Sequence, residues 1–147
     1  MRLRLLSLLL AAALAVAPGL SAAEEAPQID LDLLNLSGTV VYSQIYNMLA
    51  DSAAYQDKVV RVRGWFDYYK NAVSGEIYLF CVIPDAAACC SQGLEFVWPD
   101  APEHVADFPE PGTNLIVTGR FESYYEDDFF NVRLADCAVE WLPDEEW

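Results

Sequence analysis

The chain has 147 residues, 54% of them hydrophobic, and its 23 acidic side chains outnumber eight basic ones to give a net charge of −15. A field of that sign repels phosphate backbones and anionic lipid, so no nucleic-acid partner is expected. Proteins, peptides and metal ions remain as partner classes.

Residues 1–23 read as a signal peptide. Arg2 and Arg4 precede an apolar run over 5–16, the break Pro18-Gly19, and the small residues Ser21-Ala22-Ala23 before the cleavage point. The run is too short to span a bilayer, and no cysteine follows the cleavage point to carry a lipid. The expected product is therefore periplasmic or secreted, with no membrane anchor after signal cleavage. Both signal arginines leave with the leader while every acid stays, so six basic residues face 23 acidic ones and the mature charge is −17. The 124 residues that remain suffice for one domain.

Residues 24–36 are acidic and mixed, and are expected to form a flexible arm. Over 39–50, Val40, Ile45, Met48 and Leu49 recur at helical spacing, which predicts one N-terminal amphipathic helix. From Asp57 the period changes to two. Val60, Val62, Gly64 and Phe66 alternate with Arg61, Arg63 and Trp65, the signature of a half-buried strand. Strands are predicted over about 58–69, 76–83, 93–98, 114–125 and 128–140. Residues 70–75 form a hairpin-like turn, and Cys81 shares a face with Leu79 and Ile83. The four prolines of 99–112 mark a connecting loop, with a helical turn near 103–106. In the fourth strand Leu115, Val117, Gly119 and Phe121 share a face; Glu126-Asp127-Asp128 is an acidic turn, and 143–147 an acidic tail.

Gly64 and Gly119 fall inside strands, where glycine marks the bulge or bend that a small barrel needs to close. Five strands with a break between the third and fourth thus predict a mainly β chain, with residues 37–142 forming a five-stranded OB-like Greek-key barrel. A sandwich would call for about seven strands.

Three segments carry a resemblance: the run from Tyr55 to Gly64, the run from Phe80 to Phe96 containing Cys81, Cys89 and Cys90, and Val117-Thr-Gly-Arg-Phe121. Over residues 39 to about 142 the chain resembles small exported OB-fold-like proteins of unknown function. It is more distantly similar to the C-terminal OB-like domain of a membrane protein family that accompanies metal-permease genes. The resemblance implies an OB-like fold and a link to metal.

The cysteines themselves leave two chemistries open. Consecutive Cα atoms lie about 3.8 Å apart across a trans peptide, below the ~4.4 Å usual for a disulfide, so Cys89 and Cys90 are poor partners for each other. In an oxidising compartment each is expected to bridge to Cys81 or Cys137. As thiolates the same four residues, Cys81, Cys89, Cys90 and Cys137, are candidate ligands for zinc or copper, although Cys-x7-Cys-Cys is not a zinc-knuckle spacing. Zn is the one cofactor candidate. His104, the only histidine, lies beside Glu103 and Asp107 and is a further candidate ligand. Trp65, Tyr68, Tyr78 and Tyr124 lie on strands, where an OB-like barrel presents a ligand platform. No Gly-x-Ser-x-Gly elbow, Cys-x-x-Cys pair or calcium-loop spacing occurs. The leading expectation is a non-enzymatic, disulfide-stapled binding or scaffolding protein. A metal-handling accessory protein comes next, and a thiol oxidoreductase or hydrolase after it.

Overall fold

Period-two alternation sustained from Val59 onward curls the chain into a closed wall. The computed structural model describes residues 28–85 and 90–143. The expected signal peptide, residues 24–27 of the expected arm, Cys89 and residues 144–147 lie outside the described residues. The elements in order are β1 (Leu31–Asp32), α1 (Gly38–Ala50), β2 (Val59–Lys70), β3 (Ile77–Pro84), β4 (Ser91–Phe96), β5 (Asn114–Glu126) and β6 (Phe129–Trp141). The chain is mainly β. Strands β2 to β6 form a closed five-stranded barrel in the order β2-β3-β4-β6-β5, with β5 returning to β2. Every barrel pairing is antiparallel except β4 with β6, which is parallel.

One face of each strand fills the interior. Val60, Val62, Phe66, Leu94, Leu115, Val117, Phe121 and Leu134 are fully buried, each burial stabilising the fold by roughly 1.5–3 kcal/mol. Gly64 and Gly119 are where two cysteines press on the wall. A Cβ at Gly64 would sit 2.5 Å from the Cys81 Sγ and 2.6 Å from the Val82 carbonyl oxygen. A Cβ at Gly119 would overlap the Cys137 Sγ and come within 2.9 Å of the Ala135 carbonyl oxygen. Gly119 also lies in the register shift between Thr118 and Arg120, across from Asp136 at φ 53°, so the expected bulge is present in β5–β6.

The hairpin ends follow from turn chemistry. Asp127 and Asp128 both take positive φ, 45° and 69°, and join Glu126 to Phe129 in a two-residue turn of the kind that matches strand twist. In the β2–β3 turn, Asn71 Oδ1 accepts from the Val73 and Ser74 amides at 2.9 and 3.2 Å, and Gly75 supplies a φ of 80°.

Four details differ from the sequence reading. The segment expected as a wholly flexible arm supplies β1, which pairs in parallel with Val60 and Arg61 of β2, and Leu33 is buried beside it. Two rungs and one leucine are too short a signal to rise above the acidic composition around them. Helix α1 packs on β3 and β4 through Val41, Ile45 and Met48; Val40 is exposed and Val41 takes its place. β4 runs Ser91–Phe96 where 93–98 was expected: its start is extended by pairing of Ser91 and Gln92 with Pro84 and Ile83, and its end is shortened because Trp98 leaves the strand to pack its ring on Trp141 at 5.5 Å. The proline-bearing loop is less independent than its composition suggests: Phe108 stacks edge-on against Phe66 at 6.0 Å, and Phe66 meets Trp141 at 5.4 Å.

Candidate functional site

The outward residues of β3, β4 and β5 alternate with the core residues, and on this stretch they are tyrosine, phenylalanine and glutamate. Tyr78 and Phe80 project from β3, Gly93 and Glu95 from β4, and Tyr124 and Glu126 from β5, all lining one cleft of about 470 Å3. That volume suits a few side chains or a small ligand. The cleft is flanked by the tips of the β2–β3 and β5–β6 hairpins, which carry exposed apolar groups. Tyr125 and Phe129 are each 73% exposed, Tyr69 57% and Phe130 50%. Of these, Tyr69 and Phe130 line the cleft itself, which sets them apart from scattered surface hydrophobics.

Two tyrosine–carboxylate pairs hold the cleft in shape. The Tyr78 hydroxyl donates to Glu126 Oε1 at 2.6 Å and approaches Glu76 Oε2 at 3.3 Å. The Tyr124 hydroxyl donates to Glu95 Oε2 at 2.6 Å. Both phenols are pushed up from their ordinary range, Tyr78 chiefly by its hydrogen bond to Glu126 and Tyr124 chiefly by burial with the Glu95 bond adding to it. They are therefore fixed as donors at neutral pH. Glu95 is raised by burial, a shift opposed by the Tyr124 hydroxyl and the charge of Arg133.

Arg133 ties this site to the next layer. Its guanidinium lies 4.4 Å from the Tyr124 ring centroid, and its Nε donates to Glu122 Oε1 at 2.7 Å. Glu122 also accepts from Arg120 at 3.0 Å, and Arg120 in turn reaches Asp136 at 3.0 Å. Arg133, the cation packed on Tyr124, is thus already committed to a carboxylate. The remaining character of the cleft is acidic and aromatic. A carboxylate has about four lone-pair sites, so a single tyrosine donor leaves each of Glu95 and Glu126 able to accept more.

Of the four expected platform residues, Tyr78 and Tyr124 line this cleft. Tyr68 turns to the core side and packs on Phe66 at 6.1 Å and Phe108 at 6.0 Å. Trp65 lines a separate cavity of about 660 Å3 together with Leu33, Leu36, Val41 and Pro84.

The cysteine cluster of the sequence is spread out in space. Cys81 faces Leu94 across the β3–β4 ladder, which runs on through Val82↔Gly93, Ile83↔Gln92 and Pro84↔Ser91 before the Asp85 amide donates to the Cys90 carbonyl at 2.9 Å. The ladder therefore holds Cys81 away from Cys90. Cys81 and Cys137 are buried free thiols in the core, and Cys89 lies outside the described residues. Cys137 Sγ donates to the Leu134 carbonyl at 3.2 Å. Burial pushes the Cys137 thiol up to about 12 and Cys81 higher still, with the nearby Cys137 adding to the latter. Buried thiols so far from ionising are poor nucleophiles. Among the described residues no disulfide occurs, and no three His, Cys, Asp or Glu side chains converge to hold a metal. His104 is exposed, just before the short helical turn Val105–Asp107.

Sequence reasoning missed Glu95, Glu126, Phe80, Phe130 and Arg133. The available signal was strand parity, which puts Glu95 and Phe80 on the outward face. No family model matches this chain, and no curated protein is similar to it.

Proposed function

We propose that this chain is an exported, non-enzymatic binding protein with an OB-like Greek-key barrel, and that its binding site is the cleft between the two long hairpins. The strand order β2-β3-β4-β6-β5 closing on β2, with one parallel pairing at β4–β6, supports the OB-like reading. The observation that carries the binding reading is the pair of tyrosine–carboxylate hydrogen bonds, Tyr78 to Glu126 and Tyr124 to Glu95, set below exposed aromatic hairpin tips. A preformed depression with a few fixed polar groups among aromatics is how a protein orients a ligand. The phenols are locked as donors and the lining of the cleft holds no serine, cysteine or histidine, which favours recognition over covalent chemistry.

The test is amide chemical-shift mapping on labelled protein with three sets of probes: neutral oligosaccharides, basic peptides and acidic peptides. At least one set is expected to move the amides of Tyr78, Glu95, Tyr124 and Glu126, and Tyr78→Phe is expected to weaken that interaction. Shifts confined to the separate cavity around Leu33 and Trp65, with the cleft silent for every set, would refute the assignment.

A further inference from the structure

The cleft lies over a place where the barrel wall is not laddered. β4 and β6 pair only at Glu95↔Arg133 and Phe96↔Leu134. N-terminal to those rungs the strands separate: Ser91 to Leu94 are paired on their other side to β3, and Phe129 to Val132 to β5. Gly93, Glu95, Phe130, Asn131 and Val132 from the two strands line the cleft between them.

Backbone alternation says which groups face the gap. The Val97 amide donates to the Leu134 carbonyl at 2.8 Å, so the odd-numbered residues of β4 direct their backbone groups toward β6, and Gly93 and Ser91 have that parity. On β6, the two-residue turn pairs Phe129 with Glu126, so the alternate residues Phe130 and Val132 direct theirs away from β5. The Asn131 side-chain amide bonds to the Phe129 carbonyl at 3.2 Å. Two strand edges with no ladder partner among the described residues thus border one cleft, a ready template for an added strand.

The side chains around that gap specify the chemistry of what enters it. Glu76, Glu95 and Glu126 surround the two tyrosines, Asp127 and Asp128 form the adjacent tip, and Arg133 is engaged with Glu122. A basic segment is complementary to this set and an acidic one is repelled. Gly93 leaves the Phe80 ring uncovered: a Cβ there would stand 3.4 Å from the ring edge. Phe80, together with the exposed Tyr69 and Phe130 that also line the cleft, offers apolar surface for the alternate side chains of an extended chain.

We infer that the cleft takes an extended, lysine- or arginine-bearing peptide segment of a partner protein, added as a strand along the unpaired edges of β4 and β6. This rests on the cleft being the binding site. The unpaired stretches, Ser91 to Leu94 and Phe129 to Val132, allow about four residues to be held by backbone bonds, with basic side chains directed to Glu95 and Glu126.

The experiment uses the whole mature chain and three synthetic octapeptides: alternating Lys-Val, alternating Glu-Val, and Lys-Val with every second backbone amide N-methylated. The Lys-Val peptide is expected to shift the amides of Gly93 and Phe130 and to weaken with added salt. The Glu-Val peptide should not bind, and N-methylation should reduce affinity at least tenfold. Glu95→Gln with Glu126→Gln should reduce Lys-Val affinity by a similar factor while melting is followed to confirm the fold. Equal binding of the methylated peptide in the cleft overturns strand addition and leaves the cleft standing as a site. Cleft shifts from oligosaccharides but not from Lys-Val overturn the basic peptide alone. Silence of the cleft toward peptides and oligosaccharides alike overturns both readings.

Discussion

Strand β6 takes part in two seams of opposite character. On one side it is laddered to β5 along its whole length, from Glu126↔Phe129 to Leu115↔Trp141, interrupted by the bulge at Gly119 where Cys137 presses against the wall. On the other it meets β4 at two rungs, and a cleft of tyrosines, glutamates and exposed aromatics occupies the rest. The closed seam buries sulfur and hydrocarbon and holds the fold. The open seam leaves polar backbone and aromatic surface available. Chemistry concentrated by the sequence into one short cysteine segment is, in space, spent largely on packing, while the surface suited to recognition is assembled from all five barrel strands.

The sharpest way to break that contrast is to overfill the closed, laddered wall, which continues from β5 to β2 and β3, where Gly64 backs onto Cys81. Gly64→Ala places a methyl against the Cys81 sulfur and the Val82 carbonyl, and an overpacked core site costs about 1–3 kcal/mol. We expect a loss near the top of that range by urea denaturation, with partial recovery when Cys81→Ala is added, since the two positions share one contact. A Gly64→Ala protein as stable as the parent would show that the glycine is not there for the sulfur.

Alkaline titration probes the same side. A thiol whose folded pKa is raised stabilises the fold fully below its unfolded value, and that contribution is lost as pH rises through the folded one. For Cys137 the window runs from 9.0 to about 12, and for Cys81 it extends higher. Urea midpoints should therefore fall progressively above pH 9.0, and the onset of this decline should move upward in a Cys81→Ala/Cys137→Ala protein, where only the raised Tyr78 and Tyr124 phenols, which begin to titrate unfolded near 10.0, still contribute. In the native parent at pH 8 both thiols should resist a thiol reagent and react on unfolding.

On the open side the effects on stability shrink and the effects on binding grow. Tyr124→Phe removes the hydroxyl that opposes the upward push of burial on Glu95, so that carboxyl should titrate higher still, at a cost of about 1 kcal/mol. Because a raised carboxyl favours the fold most in its protonated form, the Tyr124→Phe deficit should narrow as pH falls through the Glu95 titration. A constant deficit across that range would detach Tyr124 from Glu95. Smallest of all, Phe129→Ser with Phe130→Ser should leave melting within about 0.5 kcal/mol of the parent, as exposed positions do, while weakening any cleft ligand. A clear loss of stability would mean that these rings are structural.

Much of the barrel was legible because alternation persists over strands of eight to thirteen residues, as in Ile77–Pro84 and Asn114–Glu126. Register was less so, as β4 shows: the local sequence does not tell where Trp98 leaves the ladder for Trp141. The cysteines misled for a geometric reason. Closeness in sequence becomes distance once a strand is extended, because each residue of β3 beyond the turn adds about 3.3 Å, so Cys81 ends several rungs from Cys90. The aromatic platform was half legible. Tyr68 has the same even parity as Val60, Val62 and Phe66, which already places it on the core side. Glu95 and Arg133 could not be read as site residues, since their partners, Tyr124 and Glu122, come from other strands and only the β5–β6 and β4–β6 registers bring them together.

The two-rung junction also sets how this cylinder comes apart. Breaking Glu95↔Arg133 and Phe96↔Leu134, with the 3.0 Å bond from the Cys137 amide to the Val97 carbonyl beyond them, costs few hydrogen bonds and leaves every other ladder intact, turning the barrel into an open ribbon of order β4-β3-β2-β5-β6. Deuterium uptake should enter the cylinder there first, at Leu134 and Val97, well before the β5–β6 ladder exchanges. The wall is a strip with a weak clasp, and the clasp lies at the edge of the cleft.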